Sequence, residues 1–334
     1  MTAPWPRARP EAGNRAVVKT TAEDFQVVEL PAVAPCGSGE HLWLNVRKRG
    51  LSTAAAAEWL AAAFAVPETA VGYAGMKDKH AVTEQWFSVQ TPRDADGLPA
   101  HPDIELLAAA RHSRKLRRGD LAGNRFRIRL RAVAGETWPA ALAAARDAGV
   151  PNYFGSQRFG RDNLERARRW LPARRRRRLS AFRRGLYLSV LRSFLFNEVL
   201  AWRVANGSWN EIVPGERPLD LPAPAQAAGC AGADRPGAEQ VPSGPLWGRG
   251  RPAVTDAALA MESRALAPHG ALCEGLEHAG LRQERRSLVL RAADLSWHAD
   301  ADALEVSFSL PPGTYATALL GEAFTLSDGS GVRP

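Results

Sequence analysis

Asp78 is the residue that its neighbours best equip for chemistry. It lies in GYAGMKDKHAVTEQWF (72–87), between Lys77 and Lys79 and just past Gly72 and Gly75. Ammonium groups on both sides favour an ionised carboxylate. Glycines beside it let the backbone approach a bulky ligand, so the carboxylate can act as nucleophile or base. On composition alone, an ordinary charged hairpin turn is the better reading. Two other constellations are weaker. GSQRFGRD (155–162) has the glycine spacing of a phosphate-binding loop but lacks the Lys and Ser/Thr that nucleotide hydrolysis needs. His269, Cys273 and Glu277 recur at helical spacing, but no second ligand pair and no C-x-x-C accompany them, which argues against zinc. The remaining histidines are scattered and support no nucleophilic triad.

The elements that must position Asp78 are legible in the hydrophobic pattern. AVVKTTAEDFQVVEL (16–30) predicts two short strands flanking a turn at Glu23 and Asp24. HLWLNVRKRG (41–50) alternates with Leu42, Leu44 and Val46 on one face. Ser52 or Thr53 then caps a helix that runs toward Pro67. Residues 71–89 predict strand, glycine-rich turn and strand. NRFRIRLRAV (124–133) predicts a strand with Phe126, Ile128 and Leu130 on one face and Arg125, Arg127, Arg129 and Arg131 on the other. A helix follows and ends at Gly149. Residues 163–204 predict helix, broken by the Arg174–Arg178 run. Residues 214–254, rich in Pro, Gly and Ala, predict irregular connections. The end returns to strand, with Leu304, Val306, Phe308 and Leu310 on one face, and a helix follows Gly313. Strands at both ends with helices between them suggest an insertion into a catalytic domain.

At 334 residues the chain predicts two domains. Its 44 Lys and Arg against 35 Asp and Glu leave a net charge of +9, which favours a polyanionic partner. The excess concentrates between Arg111 and Arg131, opposed locally only by Asp120, and again between Arg158 and Arg184. Such clusters bind nucleic acid through counterion release. Three distant cysteines, Cys36, Cys230 and Cys273, exclude a disulfide scaffold and fit a reducing cytoplasm. The N-terminus carries no apolar leader. Thr53 to Val66, the most apolar stretch, is too short for a bilayer, so a membrane partner is not expected.

Six segments in order then raise Asp78 above a turn residue: AEDFQVVE (22–29), AGMKDKHAVTEQW (74–86), RKLRRGDLAGNRFRI (114–128), GVPNYFGSQRFGRDNLERARRW (149–170), RSFLFNEV (192–199) and LPPGTYAT (310–317). Together they resemble the TruD family of tRNA pseudouridine synthases over almost the full length. The resemblance implies an α+β fold: a pseudouridine-synthase catalytic domain with a mixed or antiparallel central sheet flanked by helices, plus an inserted family-specific α/β domain. The expected division is 1–151 and 278–334 for the catalytic domain and 152–277 for the insert. Residues 216–254 depart from the family pattern and look shortened.

The resemblance also implies roles. Asp78 matches the catalytic aspartate. Phe25, Asn124 and Tyr315 match positions lining the target-base pocket, with two aromatic rings to sandwich a uracil and an amide to read its edge. Lys19 is expected near Asp78, holding its charge, and Arg158 is expected to face RNA. The implied reaction isomerises a uridine, by resemblance uridine 13 of tRNA, with no nucleotide or other cofactor and no metal. The expected state is a cytoplasmic monomer bound to tRNA. The alternative is a non-catalytic tRNA-binding or RNA-chaperone protein on the same fold.

Overall fold

A computed structural model describes residues 5–9, 13–160, 162–173, 179–221 and 239–330. The Arg174–Arg178 run, Cys230 and residues 222–238 of the divergent segment lie outside the described residues.

The alternating stretches become strands where expected. The chain opens with β1 (Arg15–Val18), a 3-10 turn at Ala22–Asp24, β2 (Phe25–Pro31) and β3 (His41–Arg49). Helix α1 (Thr53–Phe64) begins where the Ser52 hydroxyl accepts from the Ala55 N–H at 3.1 Å. The short β4 (Val71–Tyr73) and β5 (Val82–Gln90) enclose the turn carrying Asp78. Then come β6 (Ile104–His112), β7 (Leu121–Ala134), α2 (Trp138–Ala148) and β8 (Val150–Pro151). A helical stretch follows: α3 (Ser156–Phe159), α4 (Asn163–Ala173) and the 25-residue α5 (Ala181–Ala205). Three short strands, β9 (Leu219–Asp220), β10 (Gln240–Val241) and β11 (Ser243–Leu246), precede α6 (Asp256–Leu266) and α7 (Gly270–His278). The chain ends with β12 (Glu284–Ser287), β13 (Val289–Leu290), β14 (Ala293–Ala299), β15 (Ala303–Leu310), α8 (Ala316–Gly321) and β16 (Thr325–Asp328).

Ten strands form one mixed sheet. Its main path is β14-β15-β7-β2-β5-β3-β6; β1 joins β7 and β16, and β4 joins β5. The pairs β1–β16 and β2–β5 are parallel and the others antiparallel. Because β7 lies between β2 and β15, the two chain ends share one sheet. Helices α2 and α8 pack their Leu142, Leu319 and Leu320 on the β7–β15 half, and α1 packs Leu60 and Phe64 on β3 and β5. Burial of these side chains supplies the main drive for folding, at about 25 cal/mol per Å² of apolar surface.

One expectation needs correction, and one strand was not anticipated. Residues 214–254 hold three short strands, not only irregular connections. Their pairing is long-range: β11 pairs with β12, as in Gly244 with Arg286, 42 residues downstream. A four-residue strand reading SGPL has no period to detect. Likewise β6 escapes the pattern because it is an edge strand whose residues alternate poorly, most of them half-buried or exposed.

The basic stretch 111–131 is also less naked than its local sequence implies. Arg127 pairs with Glu305 at 2.8 Å, Arg129 with Asp300 at 2.9 Å and Arg131 with Asp24 at 2.8 Å. Arg111 reaches Asp94 at 2.7 Å and Arg114 reaches Asp120 at 2.8 Å. Acidic partners, all but Asp120 from outside the stretch, thus pair five of its nine cations. Surface pairs of this kind add little stability, but they reduce the field available to a phosphate backbone.

The insert-like helices form their own apolar cluster, with Leu164, Trp170, Leu191, Leu195 and Leu276. Strand β13 pairs with β8, Val289 opposite Pro151, so the chain leaves the helical region beside its point of entry.

Candidate active site

Antiparallel and parallel registers place side chains of facing residues on one side of the sheet. Lys48, Thr83, Val27, Phe126 and Phe308 oppose one another in turn across β3, β5, β2, β7 and β15. One step along, Val46 faces Gln85, and Glu29, Asn124 and Leu310 follow in register. The site is built on Lys48, Gln85, Glu29 and Asn124 from these two rows; the first three reach residues 75–78 of the turn that carries Asp78, and Asn124 faces Glu29.

Asp78 lies in that turn, its side chain about one-fifth exposed at 19%. One carboxylate oxygen, Oδ2, is ion-paired with the Lys19 ammonium. The other, Oδ1, accepts from the His80 N–H at 3.0 Å, which fixes the carboxylate as an Asx turn does. Lys19 is buried and adopts a left-handed backbone, φ 60°, directly after β1. A non-glycine residue there carries strain of about 1–2 kcal/mol, and such strain recurs at functional positions. The conformation delivers Nζ both to Asp78 and to the face of Phe25, 4.6 Å from the ring centroid.

Sequence adjacency favoured Lys77 and Lys79 as the cations beside Asp78, while the family resemblance pointed to Lys19. The structure corrects the first for Lys77, which turns inward and pairs with buried Glu29, and Lys19 takes the carboxylate as the resemblance implied. Alternation explains it. Glu29 shares the inward face of β2 with Phe25 and Val27, so its charge is buried and must be paired. Its other oxygen accepts from the Trp86 N–H at 3.2 Å. Gly72 is corrected too. The space its missing side chain leaves is filled by the Leu116 carbonyl, so it permits chain packing and not ligand approach.

Of the predicted pocket residues, Asn124 lies beside this centre, directly opposite Glu29 across β2 and β7. Its Oδ1 is buried and has no hydrogen-bond partner among the described residues. Buried acceptors are rarely left unpaired in native proteins, and the exceptions cluster at functional positions. Phe25 lies in the main core at 6% exposure, edge-on to Phe126 at 6.2 Å, with Lys19 over one face. Tyr315, immediately before α8, is half-buried, its ring edge-to-face with Phe154 at 6.3 Å. Gly155 lies against it: a Cβ there would crowd Thr317 Oγ1 at 3.2 Å and touch Tyr315 Cγ at 3.5 Å.

Arg158 is turned into the protein. Its guanidinium donates to Ser189 Oγ and, at 3.3 Å, to Ser193 Oγ of α5, close to the Phe154 ring. Arg286, absent from the sequence expectations, sets its guanidinium carbon over the Phe154 ring, 4.2 Å from the centroid. It donates to the Gly313 carbonyl at 3.0 Å and to Asn152 Oδ1 at 2.7 Å. Burial pushes the Arg286 pKa down to about 10. It joins β12 to the turn that leads into Tyr315. Its only sequence signal was an arginine in a short stretch without period. The residues once weighed as a metal set are engaged elsewhere: His269 with Glu198 at 2.8 Å, and Glu277 with Trp247 Nε1 at 3.0 Å. Cys273 is buried in the helical cluster. Among the described residues no helix is long and apolar enough to cross a membrane.

The family model described as tRNA pseudouridine synthase D (TruD) matches residues 8–167 and 175–323. A tRNA pseudouridine synthase D of Methylococcus capsulatus is 46% identical, over 95% of this chain and 93% of that relative. One from Xanthomonas axonopodis pv. citri is 45% identical, over 97% of this chain and 95% of the relative. A crystal structure from Methanosarcina mazei, of a candidate tRNA pseudouridine synthase D, superposes with a TM-score of 0.70 at 20% identity. It covers 96% of this chain and 95% of its own, and so shares the fold. The chain belongs to the tRNA pseudouridine synthase D (TruD) family.

Proposed function

We propose that Asp78 is the catalytic carboxylate with which this isomerase converts a uridine of tRNA, uridine 13 by family resemblance, into pseudouridine. The observation that carries the reading is the Asp78 carboxylate, gripped at one oxygen by Lys19 and at the other by His80 N–H; Asn124, opposite the Glu29 that anchors Lys77, has an Oδ1 with no partner among the described residues. An anion held in this way is aimed before substrate arrives. Preorganisation of that kind lowers the cost of reaching the transition state.

The target uridine must leave the RNA stack to reach such a group. Asp78 then promotes cleavage of the N1–C1′ bond, by attack on the sugar or the ring or by taking a sugar proton. The uracil turns, C5 bonds to C1′, the C5 proton leaves and N1 regains a proton. Atoms and electrons balance within one nucleotide, so the reaction calls for no oxidant or reductant. Tyr315 offers its accessible ring for stacking, and Asn124 reads the uracil edge. Phe25 supports the pocket from beneath, through the Lys19 ammonium on its face. Arg158 contributes by bracing α5 against Phe154, behind Tyr315.

The insert spans from residue 152 to the end of β12. Its separate apolar cluster and the β11–β12 pairing support moving the second boundary there from residue 277. The protein acts in the cytoplasm as a monomer, with tRNA as partner. Incubating purified protein with tRNA, without added cofactor, and mapping pseudouridine tests the function. Modification at one uridine is expected. Tight tRNA binding with no pseudouridine would leave a non-catalytic binding protein as the better account.

Two substitutions probe the pocket. Asn124→Ala should lower kcat/KM by about 10–100-fold, the worth of one or two buried hydrogen bonds. Tyr315→Ala should cost ~1–3 kcal/mol of base stacking, while Tyr315→Phe stays near wild type. Steady-state kinetics on tRNA checks both. A Tyr315→Phe loss as large as that of Tyr315→Ala would show that the hydroxyl, and not the ring face, matters.

A further inference from the structure

Lys48 is the one lysine on the buried stripe of its strand. Alternation along β3 sets it on the same face as Leu42, Leu44 and Val46, and it is fully buried at 0% exposure. A lysine so placed is rare unless its end group is satisfied. Its stem runs beneath the sheet row it shares with Thr83, and its Nζ emerges under the catalytic turn. There it donates to the Leu51 carbonyl at 2.6 Å and to the main-chain carbonyl of Asp78 at 3.3 Å.

The rest of the turn is secured from the same side. Lys77 N–H donates to Thr53 Oγ1 at 2.8 Å, and Thr53 Oγ1 donates to Gln85 Oε1 at 3.0 Å. Gln85 Nε2 donates to the Gly75 carbonyl at 2.6 Å, and Gly50 N–H to the Ala81 carbonyl at 3.2 Å. Within this bed of buried polar groups Lys48 reaches the backbone of residue 78 itself. Lys19 fixes the carboxylate from one side. Lys48 fixes the main chain from another, so the two lysines together leave Asp78 little freedom to swing.

We propose that Lys48 is a positioning residue for pseudouridine formation, clamping the main chain of Asp78 from within the sheet so that its carboxylate stays aimed at the extruded nucleoside. This rests on the assignment of Asp78 as the catalytic carboxylate. Burial and the nearby Lys77 ammonium push the Lys48 pKa down to about 8, with Asp78 opposing.

A structural role alone predicts something different, namely equal damage from any disruption of that buried row. Thr83 is the control: it faces Lys48 across the ladder and is equally buried, and its hydroxyl has no partner among the described residues. Pseudouridine formation at saturating tRNA is measured for the full-length Lys48→Met, Lys48→Gln and Thr83→Val proteins, together with KM and melting temperature. Lys48→Met, which keeps the apolar stem, should lose about tenfold or more in kcat with KM within about threefold. Lys48→Gln, which keeps one polar end, should fall between it and wild type. Thr83→Val should stay within about twofold in kcat.

A folded Lys48→Met protein with wild-type kcat would overturn the proposal. So would Lys48→Met and Thr83→Val losing kcat and tRNA affinity in parallel. Should Lys48→Met fail to fold, Lys48→Gln is judged by the same kcat-against-KM split. Loss of activity on Asp78→Asn tests the parent assignment separately. If Asp78→Asn is active, that reading fails whatever Lys48 does; if only Lys48→Met is active, the clamp alone fails.

Discussion

Asp78→Asn is expected to bind tRNA as the wild type does and to form pseudouridine at least about a thousandfold more slowly. The substitution keeps the shape of the side chain. Its amide oxygen can still accept from the His80 N–H, as Oδ1 does at 3.0 Å. What it removes is the anion that Lys19 now neutralises. The Lys19 ammonium is buried and lies over the Phe25 ring, so it would face a neutral amide in a poorly solvated place. Some loss of stability should therefore accompany the loss of activity, and a melting curve belongs beside the rate. Gel-shift or filter binding supplies the decisive comparison. Lost rate with retained affinity places the group in the chemical step. A variant that still modifies tRNA at near the wild-type rate removes Asp78 from the mechanism.

How much of this was legible in the sequence depended on the kind of pattern a residue belongs to. Strands β3, β5, β7 and β15 could be drawn from alternation alone, because each turns one regular stripe toward the core. The turn with Asp78 followed from two strands and a glycine pair. Its family role came only from the ordered motifs, since a charged turn reads the same on composition. The wrong partner for Asp78 is instructive. Sequence adjacency favoured Lys77 and Lys79, but neighbours in an extended stretch point apart, and Lys77 went inward to Glu29. Lys19, 59 residues away, was indicated only by the family resemblance; it arrives because β1 and β2 pair with β7 and β2 also pairs with β5.

One further rule would have found more. Glu29 follows Phe25 and Val27, Lys48 follows Leu42, Leu44 and Val46, and Asn124 precedes Phe126, Ile128 and Leu130. Each is a polar residue in step with an apolar stripe. Each would be buried at a cost unless paired or put to use. All three end up around the catalytic turn. Elsewhere the sequence misleads in the opposite sense. Arg127, Arg129 and Arg131 look like a phosphate-binding ladder, yet Glu305, Asp300 and Asp24 come to them from other segments. Grip on RNA must therefore draw on other cations, such as exposed Arg117, Arg118 and Arg125, which have no carboxylate partner among the described residues. Charge density along a chain sets an upper bound on surface potential, which tertiary pairing then reduces.

The largest stability effect is expected at Glu29. Its carboxylate is 1% exposed, and its partner Lys77 is 5% exposed. A buried ion pair adds little net stability relative to an apolar pair, because both charges must be desolvated. Removing one member is another matter. Glu29→Ala would leave the Lys77 ammonium in a dry place without an anion, and would also strip the Trp86 N–H of its acceptor at 3.2 Å. The expected cost is about 3–5 kcal/mol in denaturant unfolding. Lys77 has an escape that a core residue lacks: it belongs to a turn and can swing out to water. That swing would pull on a backbone whose residue 77 N–H is bound to Thr53 and whose next residue is Asp78. Activity should therefore fall in the fraction that remains folded. Glu29→Ala paired with Lys77→Met separates the two effects. The double variant removes the stranded charge, so it should recover about half or more of the lost stability. It should recover less of the lost rate, because the anchor between strand β2 and the catalytic turn stays broken. Full recovery of both would mean that the pair serves charge balance alone and that the turn keeps its shape without it.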